Sequence, residues 1–273
     1  MKQFLVIVFI LLIAGVGTYY YLRVDKARDQ ETQTEKTEPL QLPEEATPEI
    51  QHPITEPPVT IGDSTEEMPA VTEMEEPLPL LEESDNKIKE ILSEFIGIDL
   101  VKQFFRQTGI LHRFVVTIDS LPKKELPIKY RLLPPTSGKF LVHKDSSDKI
   151  TLDPENFKRY ATYMQLLDKL DTEQFVKWYT RFYPLIQEDY DSLGIENRYF
   201  NDRFIFVIDH LLETPEVIGS IQLVQPSVFY NFADPALQTL SAGQKILLRI
   251  GPANMAIVKT KLIEIRKELA APQ

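Results

Sequence analysis

The sequence predicts a mainly α fold: a single compact multi-helix domain with a small β-hairpin, preceded by a disordered linker and one N-terminal transmembrane helix. Three observations predict it. Residues 4–22 read FLVIVFILLIAGVGTYYYL, without a charge. Residues 23–84 are dominated by Glu, Pro and Thr. Residues 85–273 repeat apolar side chains at spacings of three and four, the period of an amphipathic helix. The expected organisation is an anchor at 1–22, a linker at 23–84 and a helical head at 85–273.

Every residue from Phe4 to Ile13 is Phe, Leu, Val or Ile, which favours insertion by about 3 to 6 kcal/mol. The run from Phe4 to Leu22 is long enough to cross a ~30 Å hydrocarbon core as a helix. Tyr19, Tyr20 and Tyr21 stand where an interfacial aromatic belt belongs, and Arg23 and Lys26 stop the span. A cleaved signal peptide is the competing reading. No A-x-A-like site follows the apolar run; Gly15-Val16-Gly17 comes nearest, and the three tyrosines follow it directly. The expected partner of residues 4–22 is therefore the membrane. Charge leaves the orientation open, because Lys2 flanks one side and Arg23, Lys26 and Arg28 the other.

The linker carries most of the charge. Residues 25–85 hold eighteen acidic and three basic side chains, a net of −15, while the whole 273-residue chain has −11. From Lys87 onward twenty-five basic residues face twenty-three acidic ones. A head so close to neutral lacks the basic footprint that nucleic acid requires. Apolar residues in the linker are isolated between prolines and paired glutamates such as Glu44-Glu45 and Glu75-Glu76. Such a segment buries too little surface to offset its ordering entropy. As a flexible coil, about sixty residues span roughly 45 Å. The chain has no cysteine, which removes disulfides, thiol catalysis and zinc–thiolate sites together.

In the head, Ser84 is positioned to cap a helix over Asn86–Phe95, ended by Gly97. Asp99 opens a second helix with Val101, Phe104 and Phe105, and a third runs from Ile110 to Leu121. Phe140–His143 and Lys149–Leu152 flank Asp145-Ser146-Ser147-Asp148, the signature of a hairpin. Asp153-Pro154 then sets a cap and a proline at the first helical position. Phe157, Tyr160, Met164 and Leu167 form one apolar stripe. Asp171 caps a helix carrying Phe175, Trp178, Tyr179, Phe182, Ile186 and Tyr190, which Pro184 should kink or split. Phe200–Leu212 is another helix, Val217–Val224 is extended, and Asp234-Pro235 and Ser241 open two short helices. After Gly251-Pro252 the last helix covers Ala253–Leu269.

Candidate chemistry is sparse. Asp202, Asp209 and His210 lie along one predicted helix at spacings that bring charges onto shared sides; a carboxylate beside histidine can orient a general base. The alternative is a solvated or salt-bridged polar face. Ser241 and Lys245 resemble a Ser–Lys dyad, but the required third residue after the serine is Gln244, which favours a helix cap. Glu188, Asp189, Asp191 and Glu196 could include a glycosidase pair. His52, His112, His143 and His210 are scattered, and neither a metal site nor a cofactor is expected. Trp178, Tyr179 and Tyr183, with Phe229, Tyr230 and Phe232, are candidates for a binding groove, against core packing as the simpler role.

The segments PLPLLEESD (77–85), ITLDPENFKRY (150–160), FNDRFIFVIDHLLETP (200–215) and IQLVQPSVFYNFADPALQTLSAGQKILLRIGPANMAIVKTKLIEIR (221–266) resemble the bacterial family known as domain of unknown function 3014. The resemblance spans about 77–269. It implies a bacterial envelope protein with the head on the periplasmic side of the inner membrane, and it carries no activity, cofactor or site residue. The expectation is a tethered, non-enzymatic head that binds another envelope component, protein or cell wall. The alternatives are a membrane-tethered envelope hydrolase using the Asp202, Asp209 and His210 region and, were the topology inverted, a cytoplasmic adaptor.

Overall fold

The computed structural model describes residues 50–54, 77–133, 136, 138–168, 171–194 and 198–270. The predicted anchor at 4–22 and most of the linker lie outside these residues. Among the described residues, no helix is long and apolar enough to cross a membrane.

The architecture is mainly helical with one small antiparallel sheet. The helices are α1 (Ser84–Ile96), α2 (Ile98–Phe104), α3 (Ile110–Ser120), α4 (Glu155–Lys158), α5 (Ala161–Asp168), α6 (Thr172–Ser192), α7 (Phe200–Leu212), α8 (Pro235–Thr239), α9 (Ala242–Ile250) and α10 (Pro252–Leu269). The strands β1 (Val142–Lys144), β2 (Ile150–Leu152), β3 (Gln222–Val224) and β4 (Asn231–Phe232) pair in that order.

Local chemistry explains most boundaries. Asp171 and Ser241 cap α6 and α9 through their side chains, the latter in a reciprocal capping box with Gln244. The Ser241–Lys245 spacing is thus a helix start. Asp153 accepts from the Glu155 amide at 2.9 Å, and Asp234 from the Ala236 amide at 2.8 Å. Ser84 departs from expectation. It lies inside α1, and its hydroxyl donates back to the Leu81 carbonyl at 2.7 Å. Pro184 also departs, because α6 runs through it as one helix. Proline inside a helix costs about 3 kcal/mol, whereas Phe182, Tyr183, Leu185 and Ile186 beside it are all buried, at about 1.5–3 kcal/mol per large side chain. Burial outweighs the lost hydrogen bond.

The predicted hairpin is present, with Val142 opposite Leu152 and Lys144 opposite Ile150. Its turn is held by Asp145, whose carboxylate accepts from the Ser147 and Lys149 amides, while Asp148 takes the left-handed conformation at φ 62°. The sheet is larger than predicted. β3 pairs with β2, and β4 pairs with β3. Two residues are too few to show an alternating pattern, so β4 left no signal in the sequence.

Two apolar clusters result. The larger is built from α1–α3, α5–α7, α9 and α10. The smaller joins Leu152, Leu223 and Phe232 of the sheet to Leu248 of α9. Helix α9 serves both, since Ile246, Leu247 and Ile250 enter the larger cluster.

Candidate functional site

A connected set of polar side chains meets at the start of α7. Its N-cap position, Tyr199, offers no side-chain cap to the helix. Helix α6 satisfies the first amides instead: Gln187 Oε1 accepts from the Phe200 amide at 2.8 Å, and the Tyr183 hydroxyl from the Asn201 amide at 3.2 Å. The Tyr183 hydroxyl itself donates to Gln187 at 2.8 Å, and Tyr179 donates to Asn201 Oδ1 at 3.1 Å. Burial pushes both phenols far above their usual range, so each is a neutral donor. Asn201 is fully buried, and its amide is oriented by these contacts.

Residues 50–54, inside the predicted linker, lie across this helix start. The Gln51 and His52 amides donate to the two oxygens of Asp202 at 3.0 and 2.7 Å. Asn201 Nδ2 donates to the His52 carbonyl at 2.9 Å, and the Ile54 amide donates to the Tyr199 hydroxyl at 2.6 Å. Pro53 has no amide hydrogen to place. Ile54 is only 6% exposed and joins the larger core. Four hydrogen bonds at about 1 kcal/mol each and one isoleucine at about 1.5–3 kcal/mol oppose an ordering cost of about 1–2 kcal/mol per residue. The two sides are within a few kcal/mol, so the segment is held close to balance.

The three candidate catalytic residues are committed separately. Asp202 holds the 50–54 segment. Asp209 pairs in a two-pronged fashion with Arg266 of α10, Nε to Oδ1 at 2.5 Å and Nη2 to Oδ2 at 3.0 Å. Both partners are about two-fifths exposed, which limits the pair to roughly 1 kcal/mol or less. His210 stacks on Phe206 at 6.2 Å, and its buried Nε2 has no hydrogen-bond partner among the described residues. No hydrogen bond joins His210 to either carboxylate.

Burial holds the His210 imidazole below its ordinary value of 6.5, reinforced by Arg203 and opposed by Glu213. The folded state thus binds this proton less readily than the unfolded chain. Its contribution to stability is present above pH 6.5 and is lost as pH falls through the depressed value. The melting temperature is expected to drop between pH 7 and about 5, and to drop less in His210→Gln, as scanning fluorimetry of both proteins will read. An equal drop in the two would remove this role.

The candidate groove residues form a wall of the core. Trp178 is 7% exposed and stacks on Phe182 at 5.0 Å, while Tyr179 and Tyr183 act through Asn201. Among the other aromatics, Tyr230 sits by Phe140 at 6.0 Å, and Phe232 lies under Arg249 at 5.1 Å.

One contact was invisible to local spacing. His112 Nδ1 lies 3.0 and 3.2 Å from the Asp189 oxygens, across 77 residues of sequence. Burial raises the Asp189 carboxyl above its usual value, and His112 opposes that shift. The available signal was an acid on the apolar face of α6, between Ile186 and Tyr190. Ser192 turns its hydroxyl to the Asp189 carbonyl at 2.6 Å, so it is not aimed at the imidazole. Asp191 is tied to Gln187 at 2.7 Å, and Glu196 lies outside the described residues. Among the described residues, no group of three or more His, Asp or Glu could hold a metal ion.

The profile of the family described as Protein of unknown function (DUF3014) matches residues 110–266, from the start of α3 into α10. The chain belongs to that family. The DUF3014 match contains α6, α7, the sheet and the Tyr199–Asp202 stretch, whereas residues 50–54 fall outside it. No curated protein and no solved structure matches the chain significantly.

Proposed function

We propose that this protein is a single-span inner-membrane protein whose periplasmic helical head binds another cell-envelope component, protein or cell wall, at a reach set by its acidic linker. The apolar run at 4–22 and the proline-rich composition of 23–84 support the anchor and the tether. One observation carries the binding reading: the head holds a short non-helical peptide, bent at Gln51 and His52, by its backbone, on polar groups of α7 and its N-cap. The separate partners of Asp202 and Asp209, and the lack of a hydrogen bond from His210 to either, favour the binding reading over the hydrolase alternative.

Phe206 is half exposed on the outer side of α7 and suits a photo-crosslinking amino acid. In intact cells, the anchored chain labelled there is expected to capture a discrete envelope partner. Absence of any product, together with hydrolysis of envelope polymers by the purified chain, would overturn the reading. A reporter fused after Gln273 tests the orientation, and activity in the cytoplasm would exclude a periplasmic head.

A further inference from the structure

We propose that Tyr199, Asn201 and Asp202 form a recognition slot for a short, bent polypeptide segment of the pattern x-x-Pro-aliphatic, supplied by a partner protein, and that residues 51–54 are its resident, displaceable occupant. This deepens the binding reading above and rests on it.

The slot reads main chain. Asp202 accepts two successive amides, Asn201 donates to the carbonyl of the second residue, and Tyr199 accepts the amide two residues further on. The intervening position is Pro53, the one residue type that brings no donor. Side-chain selection is confined to one place. Ile54 is buried in the larger core, whereas Gln51 and Pro53 are exposed. A ligand therefore needs the bent backbone of the resident and an aliphatic residue at the fourth position, with proline suited to the third because it leaves no amide to satisfy.

The centre of the slot, Asn201, is held independently of the occupant. Tyr179 and Tyr183 hold Asn201 from the buried face of α6, and Gln187 holds the amide before it. The ring of Tyr199 lies 5.1 Å from that of Tyr183. Such preorganisation lowers the ordering cost of any second ligand. The resident segment is joined to the head through residues 55–76, so it competes at an effective concentration on the order of millimolar. A partner peptide succeeds only when it binds more tightly or is itself locally concentrated.

The probe is a fluorescent peptide of residues 49–56, read by anisotropy against the full chain in detergent micelles. One protein is wild type. The other has residues 50–54 replaced by glycine and serine, which empties the slot. The emptied chain is expected to bind the peptide at least roughly tenfold more tightly than wild type. Tyr199→Phe and Asp202→Ala in the emptied chain, and Ile54→Asp in the peptide, should each weaken binding by about tenfold. Native-like Trp178 emission certifies the fold of every variant. Three results would overturn the slot: no binding to an emptied chain that keeps this emission, equal binding by both proteins, or indifference to Tyr199→Phe. Concentration-dependent dimers of the wild type that vanish in the emptied chain would assign the slot to a second copy and overturn the partner. Failure of crosslinking at Phe206 tests the envelope-binding reading separately, because it leaves the peptide affinity standing.

Discussion

Replacing Gly251 with alanine is expected to lower the unfolding free energy by about 2 to 5 kcal/mol. Gly251 joins α9 to α10 at φ 91°, a region where a side chain costs about 1–3 kcal/mol. The glycine also lies under the Phe157 ring, and an added Cβ would sit 2.5–2.7 Å from three ring carbons. Overpacking of that kind adds about 1–3 kcal/mol unless the ring can leave. The ring packs, partly buried, against the smaller apolar cluster, which it would have to leave to make room. Urea unfolding followed by Trp178, the chain's one tryptophan, will measure the loss. Phe157→Ala combined with Gly251→Ala should recover the clash but leave the conformational strain. A wild-type midpoint for Gly251→Ala would refute the packing.

The second large effect is expected at Asp119. Its carboxylate accepts from Arg203 Nε at 2.9 Å and from Lys123 Nζ at 2.6 Å, and its carbonyl accepts from Arg203 Nη2 at 2.8 Å. Asp119 is nearly buried and the Arg203 side chain is 20% exposed. Asp119→Ala would leave the guanidinium beside α3 without its carboxylate. Breaking a fully buried pair costs about 3–5 kcal/mol; the partial exposure of Arg203 and the open side of Lys123 reduce the expectation to about 2–3 kcal/mol. The same unfolding experiment reads it. Arg203→Met in the Asp119→Ala background should restore much of the loss, because no charge then remains to be solvated. If the double variant is as unstable as the single one, the damage lies in packing rather than charge.

The helices were legible because their signals are local. Asp171, Ser241 and Asp234 announce starts, Gly97 and Gly251 announce ends, and the stripe from Phe175 to Tyr190 states which face turns inward. What failed did so where a distant neighbour decides. Ser84 looked like a cap, but the turn at Leu81 drew its hydroxyl backward. Pro184 looked like a break, but tertiary burial on both sides overrode it. The 50–54 segment looked like any other part of an acidic linker, because its partners Tyr199, Asn201 and Asp202 stand some 150 residues away. The His112–Asp189 contact has the same character. Asp202 was singled out for its spacing to Asp209 and His210, whereas its two oxygens face the backbone amides of a segment that no local spacing could point to.

Helix α10 packs against α5, α6, α7 and α9 and buries Met255, Val258, Leu262, Ile265 and Leu269. It even reaches back to the end of α7, where Lys259 donates to the Thr214 carbonyl at 2.6 Å. The face of α7 that it covers is finished when Leu212 is made, but the cover is complete only at Leu269. At ~5–20 residues per second, the ribosome needs about 3 to 11 s for that interval. For those seconds α3 and α6 can already pack on α7, but the face that α10 will cover stays open, and a chaperone that shields that face during synthesis would guard the yield of the whole head.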